Sequence, residues 1–251
     1  MHNETYVRPQ TSTQSVFDAG LRDHMNQVYR TMTAGMSVTA LSAWLISALS
    51  VSNTGGVRQL TEFGQLLFAS PLKWVVAFAP LVLIFMAGAA MRKLSPAGLK
   101  MAFYGVAALI GVSMSTLLLT FTGGSIATAF LATAAGFAGL SLWGYTTQKD
   151  LSGFGAFLFV GVIGLIIVMI ANIFIQSSVL MLAVSFIGVL IFAGLTAHDT
   201  QRAKTEYLAL RQAGAGQDEI SKFATMSALS LYLDFVNMFQ FLLNLIGVRE
   251  E

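Results

Sequence analysis

The stretch FGAFLFVGVIGLIIVMIANIFI, residues 154–175, contains no charged side chain and no proline. As a helix rising 1.5 Å per residue it is about 33 Å long, enough to cross the roughly 30 Å hydrocarbon core of a bilayer. Windows of the same kind recur toward the C-terminus at 178–197 and 226–247, and toward the N-terminus at 125–145, 101–121, 73–91 and 33–52. Pro80 lies inside the second window and reads as a kink. Asp234 makes the seventh window unlike the rest. The pattern predicts an all-α integral membrane protein, a bundle of seven transmembrane helices.

Composition agrees. Of the 251 residues, 55 % are hydrophobic and 10 % charged, against about 25 % charged in a soluble domain, and the mean hydropathy is +0.72. The bilayer itself is the first expected partner. A net charge of +2 is too small to suggest a nucleic-acid partner. With no cysteine, the chain has no disulfide, thiolate metal site or cysteine nucleophile.

Separators as short as 122–124 and 176–177 leave room only for tight helical hairpins, so neighbouring helices should pack antiparallel. Residues 1–32 form a polar N-terminal segment without the features of a signal peptide, and no cleavage is expected. In it Phe17, Leu21, Met25, Val28, Tyr29 and Met32 recur at helical spacing beside Arg22 and Arg30, the pattern of an amphipathic helix lying on the membrane. Residues 33–251 make the membrane domain. Small-residue pairs (Ala132 with Gly136, Ala135 with Gly139, Gly161 with Gly164) are expected to let helices approach closely.

Lys and Arg set the orientation. Arg8, Arg22, Arg30, Arg92, Lys93, Lys100, Lys149, Arg202, Lys204, Arg211 and Lys222 fall on one side, and only Arg58, Lys73 and Arg249 on the other. The N-terminus is therefore expected in the cytoplasm and the C-terminus outside.

An ionisable group inside a bilayer costs about 2.5–3.5 kcal/mol on insertion scales, so each needs a reason. Asp234 sits eight residues into the seventh window, about 12 Å along its axis. Ser227, Ser230, Asn237 and Asn244 fall on the same stripe, a set of pore-lining candidates. Asp199 closes the sixth window in TAHDTQ, residues 196–201, and Arg92 closes the second. By the topology all three belong to the cytoplasmic half. Two aspartates facing each other there would share a proton and titrate as a pair, with Arg92 opposing that sharing, which is the physics of a protonation-controlled gate.

The string GLTAHDTQ (194–201), the string ALSLYLDFVN (228–237), LRDHMNQVY (21–29) and MRK (91–93) together resemble the Bax inhibitor-1, or transmembrane Bax inhibitor motif, family over nearly the whole chain. The resemblance implies a seven-helix bundle with the C-terminal helix central, and a pH-sensitive calcium leak channel. It places the proton-sensing aspartates at Asp199 and Asp234 and the closing arginine at Arg92. Family members usually carry Tyr where this chain has His198, a residue able to modulate the pH response. The resemblance further implies a bacterial inner membrane, calcium and protons as the moving species, no resident cofactor and no enzymatic activity. Calcium would be held only weakly and transiently by Asp199 and Asp234.

Two other classes stay open. A proton-coupled transporter, or an adaptor regulating membrane-protein partners, would leave no motif of its own. An intramembrane aspartyl protease also uses two aspartates on consecutive helices, but its Gly-x-Gly-Asp is missing here, where the pairs read His-Asp and Leu-Asp.

Overall fold

The computed structural model describes residues 11–54, 57–75 and 93–250. Helix α1 (Thr11–Ser50) leads into an antiparallel hairpin of β1 (Val51–Thr54) and β2 (Val57–Leu60), then a short turn of helix α2 (Glu62–Gly64) and a π-helical turn, Gln65–Ala69. Five long helices follow: α3 (Pro96–Thr120), α4 (Gly123–Thr146), α5 (Ser152–Ile175), α6 (Ser178–Gln212) and α7 (Gln217–Ile246). Among the described residues, six helices are long and apolar enough to cross a membrane. The expected second span, 73–91, lies largely outside the described residues.

Local sequence explains where these helices begin and turn. Ser95 accepts a bond from Gly98 N–H with Pro96 at the first helical position, and Thr122 and Ser177 accept from Ser125 N–H and Leu180 N–H. The break between α6 and α7 is only 213–216, with Gly214 at φ +73°, a left-handed conformation that suits glycine.

Helix α7 is the hub. It packs against α1, α3, α4 and α6, and Tyr232, Leu231 and Leu243 are fully enclosed along it. The Phe103 ring from α3 meets Tyr232 edge-on, centroids 5.4 Å apart. At the other extreme α5 packs chiefly against α6 and exposes Phe157, Phe159, Ile167, Ile170 and Phe174, an apolar face that lipid, not water, can cover. A helix suits that position because its backbone N–H and C=O groups are satisfied within the segment.

Helices α1 and α3 run parallel. Thr39 donates to Ala107 O and Ser42 to Ala108 O, while Gly35 faces Phe103. Ser50 and Pro96 therefore lie at opposite ends of the bundle.

Two expectations change. The stripe Leu21, Met25, Val28 and Met32, read as lying on the membrane, continues unbroken into the first span as α1, and protein covers it: Leu21 and Met25 cluster with Ala203, Tyr207 and Ile220, and Val28 and Met32 join the main core. Apolar spacing marks a buried face without saying what buries it. The close helix approaches also fall elsewhere. A β-carbon at Gly136, Gly139 or Gly164 would meet nothing within 4 Å. One at Gly161 would touch the end of the Ile191 side chain, whereas Gly111 lies against the Thr39 backbone and Ser42, and Gly144 against the Ala197 backbone.

Candidate functional site

Asp234 is 4 % exposed on α7, and among the described residues its Oδ2 has no hydrogen-bond partner. Asp199, on α6, lies close enough for the two carboxylate charges to interact. Its side chain is 14 % exposed, and its Oδ1 is 2.7 Å from His198 Nδ1. The two acids, 35 positions apart in sequence, thus share one electrostatic neighbourhood, built by the antiparallel packing of α6 on α7.

The polar string on α6 divides between two neighbours. Toward α4, Thr200 hydrogen-bonds Ser141 at 2.9 Å, Gln201 accepts from Leu151 N–H and donates to Lys149 O, and Lys204 donates to Tyr145 O. These contacts fix the rotation of α6. The opposite face, carrying Asp199, Arg202 and Glu206, then meets Phe223, Met226, Ser227 and Ser230 of α7 around a cavity of about 170 Å³.

Two of the four pore-lining candidates, Ser227 and Ser230, line this cavity. Asn237 and Asn244 do not; the Asn237 amide donates to Leu233 O of its own helix at 2.8 Å. Arg92 lies outside the described residues. His198 touches Asp199 directly, and Gly155 makes room for its ring, since a β-carbon there would collide with the imidazole. Arg202 and Glu206 were not singled out by sequence, although three- and seven-residue steps from Asp199 put them on its face. Among the described residues no group of three or more His, Asp or Glu could hold a metal ion.

A family model described as inhibitor of apoptosis-promoting Bax1 matches residues 21–251. The chain belongs to the Bax inhibitor-1 family. Relatives of this Bax inhibitor-1 family member include a Caulobacter vibrioides protein, 43 % identical over 99 % of this chain and 98 % of its own. Another is the inner membrane protein YbhL of Escherichia coli K12, 39 % identical over 92 % of this chain and 94 % of its own. The Rickettsia prowazekii protein RP147 is 38 % identical over 96 % of both chains. Family membership and the six apolar helices together identify an all-α integral membrane protein.

Proposed function

We propose that this protein is a pH-sensitive leak pathway for calcium across a bacterial inner membrane, controlled by protonation of Asp199 and Asp234. The observation that carries the reading is their placement on two packed helices: Asp199 lines a cavity with Ser227 and Ser230, and Asp234 is enclosed on the neighbouring helix. When both are ionised the layer attracts a cation, and a proton on the pair weakens that attraction. Calcium seeks oxygen ligands, and Asp199, Ser227 and Ser230 offer few, so residence is short, as a leak requires. Arg92 is assigned the closing role by family resemblance, and His198 tunes the response through Asp199. The relative named as an inner membrane protein supports the location, and the distribution of Lys and Arg supports a cytoplasmic N-terminus and an outer C-terminus.

The test is calcium flux into liposomes containing purified protein, from pH 5 to 8, with wild type, Asp199→Asn, Asp234→Asn and the double variant. Wild-type flux should change across the range, and each substitution should flatten the profile. Wild-type pH profiles in both single variants would remove the sensor assignment, and absence of wild-type calcium flux at every pH would remove the leak.

A further inference from the structure

Asp199, Arg202 and Glu206 follow one another along a single face of α6, Glu206 about 10 Å beyond Asp199 along the axis. Exposure separates the first from the other two. Asp199 is 14 % exposed, whereas Arg202 and Glu206 are 56 % and 30 % exposed. The lining is therefore least accessible at Asp199 and more accessible where Arg202 and Glu206 stand. Arg202 Nε donates to Glu206 Oε1 at 2.8 Å, and its charge also interacts with Asp199. The α7 wall supplies Phe223, Met226, Ser227 and Ser230, none of them charged. Among the described residues, the fixed charge lining the cavity thus comes from two carboxylates and one guanidinium, and along α6 the guanidinium stands between the carboxylates.

We infer that Arg202, tethered by Glu206, is the charge filter at the mouth of this cavity, a built-in cation that an entering cation must displace to reach Asp199. The inference deepens the leak reading, because it concerns the entrance to the same acidic pair. The contribution of the Arg202–Glu206 pair to stability is small, since exposed ion pairs are screened by solvent. Its importance is positional. Holding the guanidinium on Glu206 keeps it from settling on Asp199, so Glu206 sets how far the filter opens.

Because the natural chain has no cysteine, Ser230→Cys places a sole thiol in the cavity wall. Its reaction rates with a trimethylammonium-bearing and a sulfonate-bearing methanethiosulfonate report local charge without any need for calcium transport. At low ionic strength, where screening is weak, adding Arg202→Gln should raise the cationic-to-anionic rate ratio about tenfold. Arg202→Lys should retain the low ratio, and Glu206→Gln should lower it further. Lys222→Gln, a charge removed from α7 beside the cavity but outside its lining, should change the ratio far less. A ratio indifferent to Arg202→Gln, or shifted equally by Lys222→Gln, would overturn the inference. A filter that follows Arg202 in a protein without calcium flux would leave the inference standing and remove the leak, whereas pH-dependent flux with a ratio blind to Arg202 would do the reverse.

Discussion

The hydroxyls of Tyr232 and Thr39 lie 2.6 Å apart and join α7 to α1 deep in the bundle, two residues before Asp234. Thr39 also reaches the carbonyls of Ala107 and Gly35 at 2.9 and 3.1 Å. Its single hydrogen serves those carbonyls, so Tyr232 donates and Thr39 accepts.

That direction makes the two deletions unequal. Tyr232→Phe leaves Thr39 satisfied and should cost about 1 kcal/mol, whereas Thr39→Val strands a fully buried phenol O–H and should cost about 1–3 kcal/mol. Adding Tyr232→Phe to Thr39→Val should recover part of the loss. Thermal unfolding in detergent checks the order; Tyr232→Phe proving the more damaging of the two would reverse the assigned donor.

Gly144 should be the least replaceable glycine of α4. The Ala197 carbonyl occupies the place its β-carbon would take, so Gly144→Ala forces α4 off α6 and should destabilise by about 1–3 kcal/mol. Gly136→Ala, with open space around it, should be neutral or stabilise by up to about 1 kcal/mol, as alanine favours a helix. Similar melting temperatures for the two variants would mean that the α4–α6 approach is less rigid than the structure depicts.

His198 and Gly155 should act as one unit. The imidazole contacts the Asp199 carboxylate, and Gly155 is what lets it sit there. His198→Phe, which removes the contact, and Gly155→Ala, which displaces the ring, should move the midpoint of the pH response of calcium flux in the same direction. The measurement is the flux titration in liposomes; a midpoint that moves for one variant and not the other would uncouple the glycine from the acid.

Much of this was legible in sequence because an apolar run measures hydrocarbon thickness directly. The windows 125–145 and 154–175 fall within one to two residues of α4 and α5 at either end. What such a run does not report is where helical hydrogen bonding stops. The window 178–197 grows into α6, ending at Gln212, and 226–247 into α7, starting at Gln217. Arg202, Glu206 and Phe223, which fall between those two windows, are thereby on helix faces. That Asp199 and Asp234 fall in the same half of adjacent spans could be anticipated from the topology, but which serines and asparagines line the cavity beside Asp199 depends on helix rotation. The contacts of Thr200, Gln201 and Lys204 with α4 and the α4–α5 connection set that rotation, and single-helix periodicity carries no trace of them. The hairpin after α1 had a signal that went unread: Gly55-Gly56 between Thr54 and Val57, a dipeptide that favours tight two-residue turns.

The unbroken course of α1 from Thr11 to Ser50 makes it a strut of about 60 Å. In its first half Leu21 and Met25 rest on Tyr207 and Ile220, and its last residue leads into the β1–β2 hairpin. A strut of that length transmits tilt: a swing of 5° about its middle moves each tip by about 2.6 Å in opposite senses. Such a tilt would carry displacement from one end of the bundle to the other, past Thr39 and its bond to the residue two places before Asp234.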